Sequence, residues 1–182
     1  MLSEILGRVA RSLAAARLPY MVIGGQAVLV HGEPRLTRDI DITLGVSVDR
    51  LDDVLRAAAA AGLEPLVDPG PFASETLVLP CADRNSGVRV DLVFSESGYE
   101  REAIQRARTV RIAATDVRFV TPEDLIVHKL LAARPRDLED VRSILARQPQ
   151  LDRKLVERTL GALEEASEQP LLERWREVTR ES

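Results

Sequence analysis

The sequence predicts an α+β fold: a small mixed β-sheet with flanking helices and a helical C-terminal part. Three observations lead there. Residues 38–44 alternate strictly polar with apolar, the period of a half-buried strand. Residues 88–94 set an aspartate among apolar residues in a second such segment. From residue 121 onward the pattern is helical throughout.

In chain order, Leu2, Ile5, Leu6, Val9 and Leu13 recur at helical spacing, so the chain opens with an amphipathic helix. Residues 20–23 (Tyr-Met-Val-Ile) form a short buried strand that stops at Gly24 and Gly25. A helix over 26–31 follows directly and ends near Gly32 and Pro34. After the strand at 38–44, Ser47 is placed to cap a helix that carries Leu51, Val54, Leu55 and Ala58 and ends at Gly62. Residues 68–72 read as a Pro/Gly loop. Strands at 75–79 and 88–94 then join through a hairpin-like connection over 83–87. A polar helix over 99–108 leads to strands at 109–113 and 117–120. Helices over 122–133, 137–147, 151–168 and 171–180 complete the chain. Residues 1–120 are therefore expected as an α+β core and 121–182 as a helical part packed on it. No linker-like composition separates the two, which predicts one compact unit.

Composition narrows the function classes. At 182 residues the chain has the size of one ordinary domain, and 45% hydrophobic with 30% charged residues is globular. No apolar run approaches the ~20 residues that span a bilayer. The first 17 residues contain Glu4 and mix polar with apolar, unlike a secretory signal. One cysteine, Cys81, and two histidines exclude an internal disulfide, a cysteine-based zinc site and a histidine cage. These features predict a cytoplasmic protein without a membrane partner. The net charge of −4 argues against a uniformly basic nucleic-acid surface but leaves a local groove open. Of the 25 basic residues only Lys129 and Lys154 are lysines, and arginines suit phosphate contact.

Asp39 and Asp41 stand at i and i+2 on the 38–44 strand, so both side chains leave the same face while Ile40 and Ile42 anchor the other. Two carboxylates about 6 to 7 Å apart repel unless a cation lies between them. A hard divalent ion such as Mg²⁺ meets that need with oxygen ligands. Asp91 on the later strand would bring a third carboxylate if the two strands are neighbours. Gly24 and Gly25 lie where a strand turns into a helix, a place where backbone can approach a ligand and free N–H groups can face an anion. A phosphate binder beside a carboxylate metal site is the equipment of phosphoryl or nucleotidyl transfer. Each part alone has a plainer explanation: a tight turn for the glycines, a solvated strand face for Asp-x-Asp.

The run from Val22 to Gly32 (Val-Ile-Gly-Gly-Gln-Ala-Val-Leu-Val-His-Gly), followed by Arg35-x-Thr-Arg-Asp-Ile-Asp-Ile, resembles the polymerase-β-like nucleotidyltransferase superfamily. It looks most like the branch of AbiEii-type toxins and antibiotic nucleotidyltransferases. That pattern is a Gly-Gly or Gly-Ser turn, then Asp-x-Asp, then a third Asp on a later strand, and Gly24, Gly25, Asp39, Asp41 and Asp91 match it in turn. The resemblance implies a nucleotidyltransferase fold and two Mg²⁺ ions bound by Asp39 and Asp41. Asp91 would hold the catalytic one and help activate the attacking hydroxyl. A later stretch from Lys129 to Val141, with Arg136-Asp137-Leu138-Glu139-Asp140 inside it, is similar to the second half of the AbiEii-like pattern. Carried over, Lys129 would touch the triphosphate, and Asp137 or Asp140 would orient it or the acceptor.

The residues themselves leave alternatives for that stretch. A lysine on an otherwise apolar helix needs a partner, and Asp137, Asp140 or Glu123 could supply one as readily as a phosphate could. Asp137 could also be the N-cap of its helix with Asp140 at N3. Arg35 and Arg38 flank the Asp-x-Asp strand, where they could neutralise carboxylates, meet a phosphate or simply face solvent. His31 reads as structural, Cys81 as an inert loop residue, and Trp175 as a packing residue.

The expected function is Mg²⁺-dependent transfer of a nucleoside monophosphate from an NTP, ATP by superfamily habit, to an acceptor. A toxin-like enzyme would modify RNA or a protein and be held in check by a cognate antitoxin. A small-molecule adenylyltransferase of the antibiotic type is the alternative, and a nucleotide-binding module without turnover is a third. The apolar C-terminal helices, with Leu171, Leu172 and Trp175, could bury against a second copy in a homo-oligomer.

Overall fold

A computed structural model describes residues 1–180 of the chain. Within them the chain divides into two compact units. A sheet unit comprises Met1–Gln26 with Leu36–Val120, and a helical unit comprises Ala27–Arg35 with the described residues from Thr121 onward. The sequence puts a single boundary near residue 120 and leaves residues 27–35 with the first part. They group with the C-terminal helices because polar contacts tie them there. Arg35 pairs with Asp140, Glu33 N–H donates to the Ser143 hydroxyl, and Gln148 Nε2 donates to the His31 carbonyl.

In the sheet unit, α1 (Leu2–Ala15) buries Ile5, Leu6, Val9 and Leu13, the stripe that its periodicity announces. β1 (Tyr20–Ile23) runs into α2 (Gly24–His31), whose first turn begins at the glycines rather than after them. β2 is Ile40–Leu44, two residues shorter than the alternation suggests. Before it, the Thr37 hydroxyl donates to Asp39 Oδ1 at 3.0 Å and Gln26 Nε2 donates to the Asp39 carbonyl at 3.3 Å. The Gln26 bond takes the Asp39 carbonyl that a ladder would use. Ser47 precedes a 3₁₀ turn (Val48–Arg50) and makes no side-chain cap, and α3 (Leu51–Ala60) follows it.

Two elements here escape the sequence patterns. β3 (Leu63–Pro65) is only three residues long, and the expected loop at 68–72 is instead α4 (Pro69–Thr76), with proline fitting its first turn. Leu77, in the left-handed region at φ 59°, ends that helix. The following strand therefore starts later than residue 75, as β4 (Val78–Asp83), and contains Cys81 instead of leaving it in a loop. β5 (Arg89–Phe94) pairs antiparallel with β4 as the hairpin expected. α5 (Gly98–Arg106) is capped by Ser97, which accepts from Glu100 N–H, and β6 (Arg108–Ile112) and β7 (Thr115–Phe119) form a second hairpin.

The strands make one seven-stranded mixed sheet in the order β3-β4-β5-β2-β1-β7-β6. β2 is antiparallel to β1 and parallel to β5. Ile40, Ile42 and Leu44 with Val90, Leu92 and Phe94 are all essentially inaccessible, so this face of β2 and β5 is the core face.

The helical unit contains the end of α2 and four helices, α6 (Pro122–Ala132), α7 (Pro135–Arg147), α8 (Arg153–Ser167) and α9 (Leu171–Arg180). Thr121 caps α6 by accepting from Asp124 N–H, and Asp152 caps α8 by accepting from Leu155 N–H. Leu125, Ile126, Val127 and Leu130 leave α6 no exposed apolar side, so it is the central helix of this unit. Trp175 is buried and donates its indole N–H to Glu157, a packing residue as expected. Among the described residues no helix is long and apolar enough to cross a membrane.

Candidate active site

The parallel register of β2 and β5 sets Asp41 directly beside Asp91. Neighbouring strands lie about 4.8 Å apart, and register partners point to the same face. Asp41, Asp91 and Arg89 therefore share the face opposite the isoleucine core. Asp39 stands one residue outside β2, exposed, in line with Arg89 at the start of β5. Asp39, Asp41 and Asp91 thus meet at one end of one sheet face.

Gly24 leads the chain from β1 over this face. Its φ of 62° lies in the left-handed region, and a Cβ built there would overlap the Asp41 carboxylate, with Asp41 Cγ only 2.9 Å away. At Gly25 the same construction strikes the Thr37 hydroxyl. Both glycines are needed because backbone and carboxylate share the same space. The first turn of α2, with its free N–H groups, starts at this point.

Arg89 is a member of the site that sequence patterns do not single out. Its Nε donates to both oxygens of Asp91, at 2.9 and 3.0 Å. Its guanidinium is held above its ordinary pKa by the hydrogen bond and charge of Asp91, and further by the charges of Asp39 and Asp41. One cation thus lies in the field of three carboxylates. The signal was its place two residues before Asp91 on an alternating strand, which puts both on one face. Thr37 stands in the same relation to Asp39. Cys81, on the adjoining strand, is buried, and burial followed by the charge of Asp91 pushes its thiol up to about 12. It is not a nucleophile.

The three carboxylates supply only hard oxygen donors, which suit Mg²⁺. Among the described residues, no three acidic, histidine or cysteine side chains are gathered closely enough to hold a metal ion as they stand. The hard oxygen donors, and the cationic Arg89 already drawn to Asp91, fit a divalent metal in chemistry.

Within the helical unit, Lys129, Asp137, Asp140 and Arg35 come together. Lys129 Nζ lies 2.8 Å from Asp137 Oδ1 and 2.8 Å from Asp140 Oδ2. Arg35 grips Asp140 with two bonds of 2.7 and 2.9 Å, and Arg134 Nε donates to Asp137 at 2.7 Å. Asp137 is not the N-cap of α7 but its N3 residue, accepting from the backbone N–H of Arg134 at the cap, because Pro135 opens the helix two residues earlier than expected. Burial alone would raise both carboxyls, but the arginine and Lys129 hydrogen bonds outweigh it and hold both below the usual carboxylate range. Arg38 is exposed beside Asp39, and His31 is buried at the end of α2.

Residues 5–181 match the family model described as nucleotidyl transferase AbiEii toxin, type IV TA system. The chain belongs to this AbiEii family. It is therefore a nucleotidyltransferase, an enzyme of the transferase class, in a family named for toxin–antitoxin systems. No curated protein matches the chain. Among solved structures the AbiEii-family chain is similar to the antibiotic-resistance factor ANT(2'')-Ia, at 17% identity over 91% of this chain and 92% of that one, TM-score 0.63. It is similar also to an antigenic nucleotidyltransferase-like protein from Paracoccidioides brasiliensis, at 19% identity over 91% and 88%, TM-score 0.58. A third is the lincosamide antibiotic adenylyltransferase LnuA, lincomycin-bound, at 14% identity over 72% and 89%, TM-score 0.50. At these identities the likeness is one of fold.

Proposed function

We propose that the protein transfers a nucleoside monophosphate from an NTP, ATP by default, to an acceptor on RNA or protein, with Asp39, Asp41 and Asp91 as the metal-binding catalytic carboxylates. The observation that carries this reading is the register that sets Asp41 beside Asp91 under the Gly24 backbone. Two Mg²⁺ ions bound by these carboxylates would polarise the α-phosphate and make the attacking hydroxyl more acidic. Asp39 and Asp41 would hold both ions, and Asp91 would hold the one nearest the attacking oxygen and help draw off its proton. Gly24 and Gly25 would admit the phosphates close to the backbone, where the N–H groups of the first turn of α2 donate to them. Arg38, exposed beside Asp39, would meet the phosphate tail. The acceptor oxygen bonds to the α-phosphorus as the bond to pyrophosphate breaks, and pyrophosphate leaves with the electron pair.

Lys129 and Asp137 belong to the proposal through a narrower role. Lys129 is already bonded to Asp137 and Asp140 and nearly sealed from solvent, so a triphosphate would have to share an ammonium that two carboxylates hold. The buried pair is better suited to fixing α6 against α7 than to meeting a nucleotide directly.

The toxin family favours a macromolecular acceptor, restrained in the cell by an antitoxin protein, and a cytoplasmic location fits the single inert thiol. A second reading, a small-molecule acceptor, is favoured by the fold likeness to ANT(2'')-Ia and LnuA. Each α-³²P NTP incubated with Mg²⁺, total RNA, a protein lysate or aminoglycoside and lincosamide acceptors distinguishes them. Label on RNA or protein supports the first reading, label on a small molecule the second, and no label in any arm overturns both.

A further inference from the structure

Asp91 has both oxygens taken by one arginine of its own strand. Arg89 Nε reaches them at 2.9 and 3.0 Å, so a metal ion at Asp91 competes with an ion pair already made. The two side chains differ in freedom. That of Asp91 is 19% exposed on a strand paired with β2, whereas that of Arg89 is 55% exposed at the start of β5. The arginine can therefore withdraw into solvent without disturbing the core face, where Val90 and Leu92 stay packed.

The charge balance points the same way. Three carboxylates at one end of a sheet face repel one another, and a guanidinium in their common field relieves that repulsion. A divalent ion relieves it more strongly and with shorter bonds, but only after the arginine moves aside. While it stays in place, a positive charge next to the ligand set also opposes the approach of a second cation.

We propose that Arg89 is a built-in counter-ion that a divalent metal must displace from Asp91, and that it sets the metal affinity of the aspartate face. This rests on the reading of Asp39, Asp41 and Asp91 as metal ligands. Arg89 is thus a positioning residue: it holds Asp91 until the metal takes it, and its removal makes the site more avid for metal.

The test is direct titration of Mn²⁺ alone, followed by electron paramagnetic resonance of the free ion. It uses the full chain as wild type, Arg89→Ala, Arg89→Lys and Asp39→Ala/Asp41→Ala. Removing a unit charge a few ångströms from the ion is expected to tighten Mn²⁺ binding roughly tenfold in Arg89→Ala, an effect that shrinks as salt rises. Arg89→Lys, which keeps the charge but loses the planar fork, should fall between. Circular dichroism melting of each variant checks that the exposed substitution leaves the fold in place. Unchanged or weaker Mn²⁺ binding by Arg89→Ala, with the double aspartate variant silent, overturns the counter-ion role and leaves the metal site standing. Binding that survives in the double aspartate variant, or is absent from both wild type and Arg89→Ala, overturns the metal-site reading and the role of Arg89 with it.

Discussion

The sheet unit sets Asp41 and Asp91 side by side with Asp39 exposed beside them, and pairs Asp91 with the half-exposed Arg89. The helical unit seals Asp137 and Asp140 at 3% and 4% exposure, with Lys129 between them and an arginine on each. Both clusters are aspartates facing basic residues, and their solvation differs, which is why the proposal gives them different uses. A carboxylate that keeps contact with water and has a single exchangeable partner can hand its charge to a ligand. A carboxylate buried under two cations has its charge fully committed, and withdrawing either partner leaves an unpaired ion in a dry place. Residue type alone does not separate the two clusters; exposure does.

The largest effect that would sharpen this contrast comes from the open face. Asp39→Ala/Asp41→Ala should lower nucleotidyl transfer on the order of 10³-fold or more, since it removes charge stabilisation used in the transition state. The melting temperature should move little, because Asp39 is exposed and Asp41 only half-buried. A variant that loses its fold along with its activity would break the contrast.

Lys129→Met should do the reverse. Each carboxylate keeps an arginine, so the cost is expected at about 3 kcal/mol, the lower end for breaking a buried pair. Urea unfolding measures it, and folded protein should keep transfer within a few-fold of wild type. Unchanged stability with lost transfer would return Lys129 to direct nucleotide binding.

Gly24→Ala should cost about 1 to 3 kcal/mol for a side chain held at positive φ, and should lower transfer because the new methyl displaces the Asp41 carboxylate. Stability by urea and rate by label transfer should fall together here, unlike in either variant above.

The smallest effect is one of pH. Asp137 and Asp140 have folded-state pKa values below the unfolded value near ~4, so their stabilisation is fully present above that pH. It is lost as pH falls from there through the depressed folded values. Urea midpoints between pH 6 and pH 2 should drop in the wild type, and more shallowly in Asp140→Asn, whose carboxyl no longer titrates.

Much of the fold was legible where one face is buried and the other is not. Tyr20–Ile23 and Leu171–Arg180 fall where apolar spacing puts them, and the alternation around Ile40 and Ile42 marks a strand whose core face the structure seals. What escaped has local causes. Pro69 opens a helix within a segment that reads as loop, because proline suits a first turn as well as a bend. Asp39 lies outside its strand, with its carbonyl taken by Gln26. Of the candidate site, the glycines and aspartates could be read from spacing, since backbone turns and strand faces have fixed periods. Arg89 had only its place two residues before Asp91 to signal it, since its contact depends on where a long side chain turns. Residues 27–35 likewise join the helical unit through Arg35 and Glu33, contacts that no local pattern encodes.

The most direct test of the contrast puts both clusters in one assay: label transfer from α-³²P ATP with Mg²⁺ and the acceptor that accepts label from wild type. It compares wild type, Asp39→Ala/Asp41→Ala and Lys129→Met, each shown folded at the assay temperature. The predicted result is label from wild type and from Lys129→Met, with none above background from the double aspartate variant. Label retained by the aspartate variant and lost by Lys129→Met would contradict the account, placing the chemistry in the helical unit.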